Sequence, residues 1–303
     1  MQLFYEKTNI TKDVDVISCI HRDTAGNKCD LTEITLGNAA VWFRWQPQRN
    51  DNIEVQLNGY TTGKMYLHSI FPENGQYRIL ATSVPTYANR KTTQLYQKKT
   101  LQTILNLCAV QCNMQCALYG INGDQEFSIL REQESAPAFL QRLITLEGGK
   151  LKAYNGRLIG IGIAYAQEMN ALQKIQISAK QEGVTYLRMD NKKRSSIRLI
   201  TPYADATAVD TGAGDSMDET CTHYPALSNL QAGRWARGLL LNQNIAAEEI
   251  TIDTEFNPGF TALDRVDIES ETEMAGHWLM KEAVHDFVNK RSQAIMNRCI
   301  STI

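Results

Sequence analysis

The chain has 303 residues, 43% of them hydrophobic, which is enough for two or three cores rather than one. Its 31 basic and 33 acidic residues leave a net charge of −2, so no strong basic field exists to hold a nucleic-acid backbone. No apolar run reaches the roughly 18–20 residues of a membrane helix, and Met1-Gln2-Leu3-Phe4-Tyr5-Glu6-Lys7 lacks the basic flank and apolar stretch of a secretory signal. The protein is therefore expected to stay in the cytoplasm, or to leave it only inside a particle released by lysis.

Residues 1–95 read as β-structure. Ile53, Val55 and Leu57 alternate with Glu54 and Gln56; Met65 and Leu67 alternate with Tyr66 and His68; Tyr77, Ile79 and Ala81 alternate with Arg78, Leu80 and Thr82. Asn58-Gly59, Thr62-Gly63 and Asn74-Gly75 separate these runs as turns. Short alternating strands at this spacing predict a small barrel or sandwich, with Trp42 and Trp45 supplying bulk.

The period changes after Lys99. Leu101, Ile104, Leu105, Cys108, Ala109 and Cys112 follow the spacing of an amphipathic helix. Strands are predicted at 117–121 and 127–130. Ser135 then caps a second helix, with Pro137 in its first turn and Gly148-Gly149 at its end. Residues 150–154 and 157–163 form a hairpin closed by Asn155-Gly156. Further strands are predicted at 174–178, 184–189, 196–201, 249–255 and 265–269, and a helix at 227–241. Residues 204–224 read as an exposed polar loop. The end of the chain, 277–288 and 292–301, is expected to be a hairpin turning at Asn289-Lys290-Arg291.

Candidate chemistry is sparse. The seven cysteines are an odd number, which argues against a disulfide framework. Cys108, Cys112 and Cys116 would share a helix face, but they lack the two-residue gap and fourth ligand of a zinc site and are expected in the core. The five histidines, His21, His68, His223, His277 and His285, build no metalloprotease motif. Cys221 and His223 invite a nucleophile–base reading, but positions two apart do not generally meet, and no orienting acid is defined. The run from Asp210 to Glu219 has oxygen ligands suited to calcium without the spacing of a calcium loop. Gly212-Ala213-Gly214 lacks the third glycine of a dinucleotide loop. Asp205, Asp210 and Glu219 are the carboxylates considered, and set aside, for glycoside hydrolysis. No catalytic, cofactor-binding or metal-binding residue is assigned.

Several segments in order resemble the phage late control D family of tail hub proteins, which is related to the hub part of type VI valine-glycine-repeat spike proteins. The most specific is Gln133-Glu134-Ser135-Ala136-Pro137-Ala138-Phe139-Leu140-Gln141-Arg142-Leu143, continuing to Gly148-Gly149 and Asn155-Gly156-Arg157-Leu158. Upstream, Asn52 to Val55, Thr62 to Tyr66 and Lys98 to Leu105 are similar to the first barrel and to the helix opening the second domain. Downstream, Asn257-Pro258-Gly259, Asp264 to Val266 and Gly276 to Met280 are similar to the last barrel. Ala136-Pro137 departs from the family's acidic-aliphatic pair.

The resemblance implies an α+β, β-rich fold in which tandem small β-barrel domains, 1–95 and 173–303, flank a mixed α/β domain, 96–172. A loop and helix at about 203–245 would be inserted in the last barrel. It implies a non-enzymatic baseplate hub of a contractile phage tail or tailocin: a homotrimer adapting a threefold spike to a sixfold tube. The implied partners are a separate tail spike protein, a tail tube initiator or tube protein, baseplate wedge proteins and a tape measure protein, with no nucleic acid, membrane or cofactor. The alternatives are a tail-associated cell-wall hydrolase and a receptor-binding tail protein.

Overall fold

The computed structural model describes residues 1–37, 46–178, 180–213 and 217–300. Trp42 and Trp45 lie outside these residues, as do Gly214, Asp215, Ser216 and Ser301 from the expected loop and final strand.

Alternation in the first section becomes a sheet with one buried face. Asn52–Leu57 and Leu31–Leu36 both bury every second residue. Leu3, Ile34, Val55, Leu67 and Ile79 meet in one apolar cluster. In the last section, Glu248–Glu255, Gly276–Asp286 and Arg291–Arg298 bury Ile250, Ile252, Trp278, Met280 and Met296 in a second cluster. The closing hairpin expected from the sequence is present, its two strands paired from Trp278–Arg298 to Asp286–Arg291.

The barrels expected of the two sections are not closed among the described residues. Their strands belong to one fourteen-stranded sheet running from Val184–Arg188 at one edge to Thr8–Asn9 at the other. The reason lies in Gly276–Asp286, which is eleven residues long and serves two neighbours along one side. Its first residues pair with Arg265–Glu269. After an irregularity at Met280/Glu282, its last residues pair with Val16–Thr24, from Glu282–Thr24 to Asp286–Ile20. That ladder takes the edge of Val16–Thr24 that closure of the N-terminal half would need, while the C-terminal half stays open between Val184–Arg188 and Gln173–Gln176.

The middle of the chain packs as layers. Helix Leu101–Gln111 is capped by Thr100 and helix Ala136–Leu146 by Ser135, whose hydroxyl accepts from Ala138 N at 3.4 Å. They cover the three-stranded sheet of Gln115–Tyr119, Arg157–Gly162 and Gly149–Tyr154. The Asn155-Gly156 hairpin forms with both residues at positive φ, 46° and 74°, as such a turn requires. Strand Thr92–Thr100, paired with Glu126–Glu134, and the short helix Ile163–Glu168 are additions to the predicted elements.

The stretch expected to be an exposed loop at 204–224 contains two strands, Ala204–Val209 and Met217–Cys221, flanking Arg194–Thr201. Their inner positions are small: Ala204 and Ala208 are buried and Ala206 is partly so, leaving room for the helix Asn229–Asn244. This helix places Trp235 and Leu240 in the same apolar cluster as Phe139 and Leu140 of the central helix. A Cβ on Gly238 would stand 2.1 Å from Leu146 O and 2.6 Å from Gly148 N, so only glycine permits the close approach of the two segments.

Candidate functional site

The cysteines that could have formed a metal face do not do so. Cys108 and Cys112 are buried, while Cys116 stands on the following strand and directs its Sγ to Asn106 Oδ1 at 2.8 Å. Burial pushes all three thiols up, Cys112 to about 11, which keeps them protonated and poor ligands. Among the described residues, no group of three or more His, Cys, Asp or Glu side chains could hold a metal ion.

Cys221 and His223 are likewise kept apart in role. Cys221 Sγ faces Glu219 Oε1 at 3.7 Å, and burial and that carboxylate raise its pKa. The His223 ring instead lies against Tyr224, 4.1 Å between centroids. The three carboxylates considered for hydrolysis have structural partners. Asp205 binds Arg198, Glu219 binds Arg194 at 3.1 Å, and Asp210 accepts from Asn244 Nδ2 at 2.7 Å and Gly212 N at 2.9 Å. Of the remaining histidines, His277 contacts Asp267 and Arg265, His68 contacts Ser69, and His21 and His285 are buried.

The chemically unusual place is one the sequence motifs did not single out. It lies where the two halves of the large sheet meet the central hairpin. Lys152, on Gly149–Tyr154, points away from solvent and forms an ion pair with Asp23 of Val16–Thr24; their side chains are 6% and 2% exposed. Asp30 and Asp264 also act on the Lys152 charge. Asp30 accepts from Thr24 N at 2.9 Å through Oδ1, while its buried Oδ2 has no hydrogen-bond partner. The loop carrying it is fixed by Ser83, whose Oγ accepts from Asp30 N at 3.0 Å and whose N donates to Asp30 O at 3.1 Å. Asp264 comes from the turn before Arg265–Glu269, and its backbone C=O accepts from Met280 N at 2.8 Å.

The titration of these groups follows from burial and charge count. Burial pushes Asp30 up to about 7 and Asp264 up to about 6; Lys152 opposes this and Asp23 adds to it in both. Burial works against the Lys152 charge, but Asp30 and Asp23 outweigh it and hold its pKa above the ordinary lysine value. Around them stands a neutral layer. His21 donates to or accepts from Thr32 Oγ1 at 2.8 Å, and burial, with His285 and Lys152 nearby, lowers its pKa well below the usual value. His285 contacts Ser292 Oγ and Phe260 O, and its ring lies 4.2 Å from that of Tyr60.

No local motif marks this set, because its charged members come from positions 23, 30, 152 and 264 on different elements. One signal was available: Lys152 sits among the apolar Leu151, Ala153 and Leu158 of the predicted hairpin, and a lysine buried with them requires a buried partner.

On the surface, apolar side chains gather away from the joint. Leu95 and Leu130 are cross-strand partners and remain 65% and 43% exposed. Leu227, just before Asn229–Asn244, and Leu230 in its first turn line a shallow depression with Phe127 and Ser128 of Glu126–Glu134, the strand that carries Leu130.

In sequence the chain matches no family model and no curated protein. Its fold, however, is shared nearly end to end with solved structures. The tail protein from Neisseria meningitidis MC58 superposes with a TM-score of 0.75 at 11% identity, over 98% of this chain and 95% of that one. The 43 kDa tail protein of prophage MuSo2 from Shewanella oneidensis gives 0.71 at 11% identity, over 98% and 96%. An E. coli protein that is a component of the type VI secretion system, itself similar to T4 bacteriophage tail proteins, gives 0.61 at 10% identity, over 95% and 75%. The fold is that of phage tail proteins and their secretion-system relatives.

Proposed function

We propose that this chain is a structural, non-enzymatic baseplate hub of a contractile tail. The observation that carries this reading is the extent of the fold match: it runs through both sheet halves, the central layers and the insert, and leaves almost nothing of either partner over. The absence of a nucleophile–base pair at Cys221 and His223, and the structural pairing of Asp205, Asp210 and Glu219, agree with that reading.

In this proposal three chains form a ring. Each contributes two sheet halves, one from 1–95 and one from 173–303, held by the 96–172 unit, so that three subunits offer six similar positions to a tail tube while gripping a separate threefold spike. The exposed Leu95, Leu130, Leu227 and Leu230 are suited to burial between subunits or against a wedge protein. The setting would be the baseplate of a virion or tailocin, with a tube initiator and tape measure protein above.

Light scattering on the purified chain, alone and mixed with a tail spike protein from the same genome, tests the ring. A mass of about three chains, or a three-to-three complex, is expected. A monomer that does not bind the spike overturns it.

A further inference from the structure

We propose that the joint between the sheet halves and the central hairpin is a proton-operated latch, in which Asp30 and Asp264 take up protons to close it and release them to loosen it. This inference does not rest on the assembly reading, since every group in it belongs to one chain.

The geometry comes first. Two buried carboxylates, Asp23 and Asp30, and the half-buried Asp264 act on one ammonium, that of Lys152, which is paired directly with Asp23. If all were ionised, three negative charges would face one positive charge, and a buried excess charge is costly enough that a group neutralises instead. Asp23 is the acid in direct contact with Lys152. Asp30 has a buried oxygen without a partner, the expected position for a proton on a carboxyl that accepts only one backbone hydrogen bond.

The neighbours on every side leave these two acids as the titrating members near neutral pH. From Val16–Thr24 and the loop after it come His21, held well below its usual pKa by burial, and Cys29, held above its usual pKa by burial and Asp30. From the first sheet half comes Tyr60, and from the hairpin Tyr154, both raised by burial and by Asp23. Glu54 faces Tyr154 from the same side. From the C-terminal half comes His285, lowered by burial. Asp30 and Asp264, raised to about 7 and about 6, are left to exchange protons between pH 5 and 8.

The sign follows from linkage. Both folded-state pKa values lie above the ordinary aspartate value, so the folded chain binds more protons than the unfolded chain in this window. Their contribution to stability is fully present below about pH 4 and is lost as pH rises through about 6 and then about 7. Deprotonation loosens what Lys152 joins: hairpin strand Gly149–Tyr154 to Val16–Thr24 and to the turn at Asp264.

The test uses the full chain and its Asp30→Asn variant, an uncharged near-isostere. Urea midpoints are measured from pH 5.5 to 8.5, with hydrogen exchange followed in the 149–157 hairpin and corrected for intrinsic rates. In the wild type the midpoint is expected to fall as pH rises, with a slope of about one proton, and hairpin protection to fall with it. In Asp30→Asn both trends weaken, most clearly around pH 7, leaving the share that Asp264 carries near pH 6. Carbon-13 NMR of aspartate-labelled wild-type protein, which needs no variant to fold, is expected to show a carboxyl titrating at least about two units above the ordinary 3.9. A flat or rising midpoint, the absence of such a carboxyl, or unchanged hairpin protection would each overturn the latch.

Discussion

Replacing Lys152 by methionine isolates the charge at the joint. Methionine is close to lysine in length and flexibility, so the packing cost alone should stay below about 1.5 kcal/mol. What is removed is the ammonium paired with Asp23, and with side-chain exposures of 6% and 2% the pair belongs among buried ion pairs rather than surface ones. Two unit charges about 4 Å apart interact by about 4 kcal/mol at an effective dielectric constant near 20. Removing one partner of a buried pair costs about 3–5 kcal/mol. A loss of about 4 kcal/mol at pH 8 is therefore expected. The cost must shrink at lower pH. Without Lys152 the folded-state pKa values of the acids rise further, and a raised folded pKa gives stability that is present at low pH and lost as pH increases. Each unit by which those values rise is worth about 1.4 kcal/mol between the two conditions. Urea unfolding of Lys152→Met and wild type at pH 5 and pH 8, with the denaturant slope compared to confirm that both unfold in the same way, measures this directly. A destabilisation under about 1 kcal/mol at pH 8, or one equal at both pH values, would refute the account of the joint.

Gly238→Ala should be disproportionately harmful for a helix position. The new Cβ meets the backbone at Leu146 O and Gly148 N, which cannot rotate away, so a loss of about 1–3 kcal/mol is expected in place of the gain that alanine ordinarily brings to a helix interior; an unchanged urea midpoint would contradict the close crossing. Glu147→Ala removes the acceptor for Trp235 Nε1 at 2.9 Å and for Arg234 Nε at 2.7 Å, leaving a buried indole N–H unpaired. About 1–3 kcal/mol of destabilisation is expected, together with a shift in tryptophan emission, and neither change would mean that this contact does not pin the insert to the central layers.

Local signals were readable in the sequence and long-range ones were not. Asn155-Gly156 marks its hairpin because a two-residue turn demands positive φ at both positions. Ser135 marks a helix start because its hydroxyl answers an otherwise unpaired N–H. Strand Thr92–Thr100 escaped because it buries Tyr96 and little else, and its polar run resembles a linker. The strands within 204–224 escaped because alanine, depleted in strands, carries the inward face of Ala204–Val209, so the apolar alternation is made by side chains too small to signal a buried strand. Asp23, Asp30 and Asp264 each look like an ordinary surface charge in their own segment, and Lys152 is marked only by its apolar neighbours; only the fold brings the four together.

The open sheet and the buried charges have a common origin. Val16–Thr24 and Gly276–Asp286 are more than 250 positions apart, and five residue pairs between them unite the N-terminal and C-terminal halves. A ladder that short offers a small apolar area, and its register is specified weakly unless side chains at its end favour one alignment. The Lys152–Asp23 pair supplies such a constraint: Asp23 is itself a rung, opposite Ala283, and a slip of one residue would turn its carboxylate to the opposite face and leave Lys152 unpaired. His285, opposite His21 two rungs away, adds its bonds to Ser292 and Phe260 only in that alignment. An apolar residue at position 152 could raise stability in a larger interface, but here it would remove the penalty against misalignment. The polar joint thus specifies how the halves meet, at the cost of a site whose strength depends on its protons.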